Sequence, residues 1–399
     1  MGTNKSGSSR EGINAAKNLG FKINVLTANE KLLEEKEEFQ EVDNFYFVDL
    51  NNLEQVMETV KNIQKKEQVA CIISFIDSYV YLAAKLSNEL CGTKLSVEAI
   101  KIMEDKLLTR KQLQGKHYSP FFYVLSKDQS INSFIKKVKK NLPLIVKLPK
   151  SCGSKDVYLA QSESELKKLL LFLRKNFDSE ILLEEYLDGP QVIVEAIVHE
   201  GEVQIAAIVE QEITKKEKFI VTGYSISQEL SKSFISSLLI AAKDIIRDLG
   251  LENGNCHLEI RRKRRKWKLI EANPRISGGM MNDFIKEAYG FNYAEQIIKV
   301  YLDQSPILTK TKEVTVYAHY LTVNRTGKLD KVSGKQMAKK KNGVLKVFIK
   351  PRKGKILTPP LSMGNRYGYV IAKGKTKAES RKIAQLAARY IKFHLVPIK

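Results

Sequence analysis

The sequence has few of the features that mark secreted, membrane-spanning or zinc-binding proteins. Its four cysteines lack the paired spacing of a disulfide framework or a zinc site. No apolar run approaches the ~20 residues that are needed to cross a bilayer. No charged-then-apolar leader opens the chain, which argues against a secretory signal. We therefore expect a protein of the reducing cytoplasm, with no membrane partner.

Acidic residues are also scarce beside basic ones. The 67 lysines and arginines outnumber the 45 aspartates and glutamates, which gives a formal net charge of +22. Such a charge raises the question of a nucleic-acid partner. The lysines are spread along the whole chain, however, and no aromatic residues alternate with them as they would in a base-stacking surface. Attraction of nucleotides and acidic small substrates is a sufficient use for the charge, so we do not predict nucleic-acid binding.

A length of 399 residues predicts two or three domains. Strand patterns at 22–27 and 69–75 alternate with helical patterns, which predicts a parallel α/β domain over residues 1–95. Such a domain normally opens with an apolar strand, whereas residues 2–12 already have the composition of the loop that follows it. We expect either that the start is truncated or that the sheet lacks its first strand.

Two further domains are predicted, over residues 96–310 and 311–399. The first contains short apolar strands, among them 143–148, and helical patterns at 96–110, 230–249 and 281–302. The second has mixed strands and turns and ends with a helical pattern over about 377–393.

Glu259 and Glu271 lie in two alternating apolar segments that are joined by a very basic turn. In a β-hairpin they would share one face with Asn273, because side chains alternate with period two along a strand. Two carboxylates and an amide oxygen are hard ligands that suit Mg²⁺, and Arg275 would add an anion donor to the same face. The alternative is a surface hairpin with scattered charges.

Lys147 is the only charged residue in the apolar strand 143–148. A lysine there is costly unless its ammonium meets anionic oxygens, and the small-residue segment 151–155 that follows could cradle phosphates with its N–H groups. Together with Lys106 on an earlier helix, it suggests a two-lysine clamp on a triphosphate. The alternatives are an edge-strand lysine that reaches water and a solvated helix face. The segment 183–187 offers backbone polar groups beside apolar side chains, as an adenine ring requires.

Four parts of the sequence, taken in order along the chain, resemble the ATP-grasp superfamily of carboxylate–amine ligases. They are Asp105-Lys106, Lys147 with its loop, the segment 182–187 and the pair HLEI…IEANPRISGG. The resemblance covers nearly the whole chain. It implies an α/β and α+β multidomain ATP-grasp fold with an N-terminal Rossmann-like domain that lacks its first strand. The run 364–369 (GNRYGY) and the final helix resemble the C-terminal lid domain of L-amino-acid ligases and dipeptide synthetases.

The resemblance also implies a role for each matching residue. Arg275, Glu271 and Lys147 would be catalytic, with Arg275 stabilising the acyl-phosphate or its tetrahedral adduct. Lys106 would join Lys147 on the phosphates, and Glu259, Glu271 and Asn273 would bind Mg²⁺, with Mn²⁺ as an alternative. The remaining nucleotide contacts would come from the loop residues Ser151, Gly153 and Ser154, from Glu184 at the adenine amino group, from the backbones of Glu185 and Leu187, and from Glu195 at the ribose.

The activity implied is ATP-dependent joining of a small carboxylate to an amine, and a homodimer is compatible with it. A biotin carboxylase or purine-pathway ligase, a non-catalytic nucleotide-binding protein and a nucleic-acid-binding protein are the competing hypotheses. The chain departs from the family where Ser154-Lys155-Asp156-Val157 loses a glycine, where Gln191 replaces a common glutamate, and at 223–227. The sequence identifies no general base for the amine, although His257 is a candidate by position.

Overall fold

The computed structural model describes residues 1–150, 156–215 and 219–398. The helices are α1 Ser8–Asn18, α2 Glu30–Glu34, α3 Leu53–Gln64, α4 Val80–Cys91, α5 Val97–Glu104, α6 Lys106–Gln112, α7 Ile131–Val138, α8 Glu163–Asn176, α9 Lys232–Asp248, α10 Met281–Tyr289, α11 Tyr293–Tyr301, α12 Lys335–Lys339 and α13 Lys377–Ala388. The strands are β1 Asn24–Thr27, β2 Asn44–Phe47, β3 Phe122–Leu125, β4 Leu144–Lys147, β5 Val157–Ala160, β6 Ile181–Glu185, β7 Gln191–His199, β8 Glu202–Lys215, β9 Phe219–Ile226, β10 Gly254–Lys263, β11 Lys266–Asn273, β12 Thr315–Leu321, β13 Gly327–Ser333, β14 Val344–Ile349, β15 Ile356–Leu357, β16 Gly368–Gly374 and β17 Lys392–Val396.

The N-terminal region contains a parallel pair of strands, β1 and β2. The predicted strand at 69–75 does not join them, and this prediction is wrong. A cavity of 220 Å³ lies between residues 22–26 and 67–75. The first two residues of the chain bridge it with their backbone: the Met1 amino group donates to Ile73 O at 2.6 Å, and Gly2 N donates to Leu26 O at 2.8 Å. Residues 69–75 therefore lack the neighbouring strand that would make them part of a sheet.

A four-stranded antiparallel sheet, in the order β3-β6-β4-β5, forms one side of the central region. Helices α7 and α8 pack on it, and their apolar faces fill a separate hydrophobic core. Ser130 and Ser162 cap the two helices by accepting backbone N–H bonds, which fixes where each helix begins. The sheet thus brings β4 and β6, which carry the predicted phosphate and adenine residues, side by side.

An eight-stranded sheet in the order β11-β10-β7-β8-β9-β12-β16-β14 forms the rest of the central region. It is continuous across the predicted boundary at 310–311, because β12 pairs with β9 through Val316 and Ile226. The largest hydrophobic core lies against this sheet and contains buried residues of α9, α10 and α11. A three-stranded sheet, β15-β13-β17, completes the C-terminal region.

Three predicted helices differ in detail from the structure. The helix predicted at 281–302 is broken at Gly290, whose φ of 89° ends α10, and the one at 96–110 is broken at Asp105, which caps α6. The last helix ends at Ala388 rather than near 393, because the alternating segment 392–396 forms β17 against β13. Within the described ranges, no helix is long and apolar enough to cross a membrane.

Candidate active site

The hairpin of β10 and β11 places the predicted metal ligands on one face. Glu259 is directly opposite Glu271, and His257 is opposite Asn273. Strand β7 pairs with the other edge of β10 and adds Glu195 opposite His257 to the same face. The side chains predicted from alternation thus share one face, on a hairpin that is half-buried rather than on the surface.

Glu259 and Glu271 interact strongly because both are removed from water. Burial and the nearby charge of Glu271 raise the pKa of Glu259. Burial alone would also raise the pKa of Glu271, but Lys106 and Lys147 outweigh it and hold the pKa below its usual range. A divalent cation bound between these two facing carboxylates would relieve their mutual repulsion. In the described residues, no three His, Cys, Asp or Glu side chains cluster closely enough to hold a metal, so such a site depends on Asn273.

His257 supports Asn273 rather than acting as a base. Its Nε2 lies 3.1 Å from Asn273 Nδ2, and its Nδ1 lies 3.1 Å from Arg275 O. Burial and the Arg275 charge lower its pKa to about 4, so the ring is neutral at pH 7. A neutral ring that donates from Nδ1 and accepts at Nε2 holds the Asn273 amide by its nitrogen and leaves the amide oxygen as an acceptor.

Gln191 explains one of the departures from the family pattern. Its Nε2 donates to Glu259 Oε2 at 2.9 Å, and its Oε1 accepts from the Arg261 guanidinium. A glutamate at this position would place a third carboxylate against Glu259, whereas the amide joins Glu259 to Arg261 without repulsion. Glutamine in place of glutamate at position 191 therefore avoids repulsion with Glu259 in the hairpin of this chain.

Lys106 begins helix α6 and lies on the metal-ligand side of the cleft. Its Nζ is 3.0 Å from Glu271 Oε1. The Asp105 side chain accepts from Leu107 N and Leu108 N, which fixes the first turn of α6 and so the direction of the lysine. The side chain is only 11% exposed, which excludes the alternative of a solvated helix face.

Lys147 ends strand β4 and is 3% exposed, so it is not an edge lysine that reaches water. Its Nζ lies 2.7 Å from Glu184 Oε2, and Arg110 donates to the other carboxylate oxygen from Nε at 2.7 Å. Burial lowers the pKa of Lys147. Burial would raise the pKa of Glu184, but the two cations outweigh it and keep the pKa low.

Arg110 was not found by the sequence reasoning. It is 1% exposed, and its Nη2 also donates to the carbonyl oxygens of Leu269 and Ile270. It thereby joins the small sheet, through Glu184, to strand β11 of the large one. Its position four residues after Lys106 puts both on one helix face, and this spacing was the available signal.

The segment after β6 joins the two sheets near the predicted adenine site. The carbonyl oxygen of Leu187 accepts from Arg261 Nη1 at 2.6 Å, and Glu185 Oε1 lies 2.6 Å from Lys263 Nζ. Gly189 follows with a φ of 136°, and a Cβ there would lie 2.0 Å from Arg262 O. Only glycine allows the turn to lie this close to β10.

Glu195 lies in the middle of β7, and Arg275 follows the end of β11, both further along the sheet from this turn. The Arg275 guanidinium forms an ion pair with Asp77, a partner from the N-terminal region that no local sequence signal indicated. Glu195 is fully buried and accepts from Ser277 N at 3.0 Å, while its Oε2 has no hydrogen-bond partner among the described residues. Burial raises the pKa of Glu195 to about 7. The role of Glu195 at the ribose stays a prediction. The charged side chain that acts on Glu195 in the structure is Arg275.

The two lysines, the facing glutamates, Asn273, Glu184 and Arg275 thus come together where the small and large sheets meet, and this junction is called the cleft. The predicted loop contacts Ser151, Gly153 and Ser154 lie outside the described residues.

Three family models match the chain. They describe an ATP-grasp N-terminal domain at residues 13–91, an ATP-grasp domain at 140–283 and an L-amino acid ligase C-terminal domain 2 at 319–396.

Individual relatives are distant. A protein described as uncharacterized protein y4rH, from Sinorhizobium fredii, is 23% identical over 88% of this chain and 73% of its own length. Human carnosine synthase 1 is 22% identical over 59% of this chain, which spans only 31% of that protein. The crystal structure of L-amino acid ligase from Bacillus licheniformis matches with a TM-score of 0.82 at 19% identity, over 99% of this chain and 98% of that one.

The chain belongs to the ATP-grasp superfamily, and the predicted multidomain fold is confirmed. It is an ATP-binding ligase of the class that forms carbon–nitrogen bonds. Within that class, its C-terminal region, residues 319–396, matches the model of an L-amino acid ligase domain.

Proposed function

We propose that this enzyme uses ATP to convert a small carboxylate, such as that of an amino acid, into an acyl-phosphate and then joins it to an amine. The observation that carries the proposal is the facing pair Glu259 and Glu271, bordered by Lys106 and Lys147 in one cleft. Acidic and basic groups in this arrangement suit a metal-bound triphosphate, because the carboxylates attract the cation and the ammonium groups attract the phosphates.

The site fits a divalent cation by the chemistry of its donors. Glu259, Glu271 and Asn273 would hold Mg²⁺, and Mn²⁺ is an alternative for the same oxygen set. When bound, the ion would neutralise the charge that develops on the transferred phosphoryl group. Gln191 and His257 keep Glu259 and Asn273 oriented by the hydrogen bonds described above.

The residues of the chain have separate tasks in the proposed reaction. Lys106 and Lys147 would orient the phosphates, and the turn after β6 would hold the adenine through the backbones of Glu185 and Leu187. The guanidinium of Arg275 would stabilise the oxyanion that forms when the amine attacks the acyl carbon. The ion pair with Asp77 fixes its direction, so little reorganisation is needed during the reaction.

The amino-acid class of the substrate is supported by the match of residues 319–396 to an L-amino acid ligase domain. The resemblance to purine-pathway ligases and biotin carboxylases lies in the fold alone, with TM-scores of 0.74 and 0.71 for two of them at 17% and 15% identity. The homodimer and the cytoplasmic location belong to the same proposal, and sedimentation of the purified enzyme would test the former.

The test is to incubate the enzyme with ATP and Mg²⁺ across pairs of amino acids and small carboxylates, and to identify the products by mass spectrometry. We expect ADP, phosphate and a new amide. AMP and pyrophosphate would refute the acyl-phosphate route, and ADP formation that depends on bicarbonate would support a carboxylase instead. Nucleic-acid binding that falls steeply with salt and does not require nucleotide, without any amide product, would support a nucleic-acid-binding protein instead.

A further inference from the structure

Arg366 is a second arginine at the site, and neither the sequence reasoning nor the family comparison assigned it. It follows the short 3-10 turn Met363–Asn365 and precedes β16, in the C-terminal region. Its Nε donates to Met363 O at 3.2 Å, and its guanidinium carbon lies 3.9 Å from the centre of the Tyr320 ring. These contacts hold the guanidinium over an aromatic ring and restrict its direction.

The guanidinium of Arg366 hydrogen-bonds with the Tyr224 side chain and lies close enough to Glu259 to interact with its charge. Its Nη1 is buried and has no hydrogen-bond partner among residues 1–150, 156–215 and 219–398, and no carboxylate of those residues forms an ion pair with it. The nearby Tyr320 hydroxyl is also buried without a hydrogen-bond partner among the described residues. Unpaired buried donors of this kind are costly unless a ligand completes them.

The register of the large sheet connects Arg366 to the active-site cleft. Gln211 lies beside Glu259 and is paired with Tyr224 across β8 and β9. The rings of Tyr224 and Tyr320 have centroids 5.6 Å apart. On the other side, a Cβ placed on Gly279 would lie 3.8 Å from the Tyr320 hydroxyl. Arg366 therefore borders the face that runs from the metal ligands to the segment after Arg275.

We propose that Arg366 binds the α-carboxylate of the amino acid that supplies the attacking amine. Arg275 already forms an ion pair with Asp77, whereas the guanidinium of Arg366 forms no ion pair with a carboxylate of the described residues. A planar guanidinium binds a carboxylate through two parallel hydrogen bonds, and the Tyr224, Tyr320 and Gln211 groups would complete the polar contacts. The assignment rests on the ligase function proposed above and adds the requirement that the acceptor carry a free carboxylate.

The test compares each of a panel of L-amino acids with its own carboxamide, which keeps the amine and the side chain but loses the negative charge. Melting temperatures are measured with ADP and Mg²⁺ present, and kcat/KM for amide formation is measured in parallel. We expect the wild-type enzyme to prefer the free acids. In Arg366→Met this preference should fall roughly 10- to 100-fold, the effect of one lost charged hydrogen-bonding group, while ADP affinity stays unchanged.

Two further variants separate this role from a structural one. Arg366→Lys keeps the charge and should retain part of the preference. Arg325→Met removes an exposed arginine of the same region, which donates only to Leu395 O among its described contacts, and should behave as wild type.

The assignment would be overturned by a wild-type enzyme that binds acids and carboxamides equally, or by Arg366→Met that keeps the wild-type preference. Loss of ADP affinity in Arg366→Met would show that the arginine contacts phosphate instead. The melting measurement needs no turnover. Acid-selective stabilisation without amide formation would therefore support Arg366 as the carboxylate site while refuting the ligase function.

Discussion

Lys106 Nζ lies 3.0 Å from Glu271 Oε1, so a residue predicted to hold phosphate is paired with a residue predicted to hold metal. The pair neutralises a carboxylate that burial would otherwise penalise. When a metal-bound nucleotide binds, Lys106 would pair with the phosphates and Glu271 with the cation, instead of with each other. Each residue then has a favourable partner with or without the nucleotide, which keeps the cleft formed in both states.

Glu271→Gln tests the glutamate of this pair. The amide keeps the shape but loses the charge that attracts the cation, so we expect ATP turnover to fall by about 100-fold or more, equivalent to about 3 kcal/mol. The melting temperature should change little. Glu313→Gln, which alters an exposed glutamate paired with Lys310, is the matched control. Turnover close to the wild-type value in Glu271→Gln would place the metal elsewhere.

Lys147→Met tests the phosphate role of the second lysine. We expect nucleotide affinity to fall roughly 10- to 100-fold, because one charged hydrogen bond is lost. The loss of stability should be modest, since Arg110 still pairs with Glu184. Arg110→Met should instead cost about 3–5 kcal/mol of unfolding free energy, because it removes two hydrogen bonds to Glu184 and also the donor to the carbonyl oxygens of Leu269 and Ile270. Calorimetric titration with ADP and chemical denaturation would measure the two effects, and equal behaviour of the two variants would contradict this division of roles.

The sequence was sufficient for the parts of the site that depend on local periodicity. Alternation alone put Glu259, Glu271 and Asn273 on one face, and the register agrees. The isolated charge of Lys147 in an apolar strand likewise indicated a paired, buried lysine. Two rules were enough to predict these features: side chains alternate with period two along a strand, and an unpaired buried charge is costly.

Contacts between distant segments could not be read from the chain. Asp77 lies 198 residues from its partner Arg275, and Arg366 reaches the cleft only because β12 continues the large sheet. The helix predicted over 281–302 was interrupted at Gly290 because a φ of 89° there starts a turn that the apolar pattern did not reveal. Tertiary contacts decided the first two points, and the left-handed backbone of a single glycine decided the third.

Glu195→Gln tests the buried carboxyl beside Ser277. The folded protein holds the proton on Glu195 up to about pH 7, whereas an unfolded glutamate loses it near pH 4.5. Between these values the folded state binds more protons, so stability falls as pH rises. The decrease from this residue is at most about 3 kcal/mol. We expect Glu195→Gln to show a smaller decrease than wild type between pH 5 and 7, while the exposed control Glu252→Gln keeps the wild-type slope. Parallel pH profiles for Glu195→Gln and wild type would contradict the shifted pKa.

The cavity between β1 and residues 69–75 gives a prediction about stability. Its walls include the buried side chains of Leu26, Val60 and Ile72, and the two bonds made by Met1 and Gly2 already follow the direction of a strand between them. Burial in this cavity lowers the pKa of the Met1 amino group to about 6, so the charged amine is disfavoured there. An added apolar strand joined to Met1 would replace the amine with a peptide bond and fill the space.

We therefore expect an N-terminal extension of about five alternating valine and isoleucine residues to raise the melting temperature by several degrees, because it buries apolar area and completes two strand ladders. A glycine-serine extension of equal length is the control, since it removes the terminal charge from the cavity without filling it. The extended proteins would be compared by thermal denaturation and by hydrogen exchange of the amides in 22–26 and 69–75. Equal melting temperatures for the two extensions would show that the cavity does not accept a strand. Stabilisation by the apolar extension alone, with slower exchange in both segments, would show that it does.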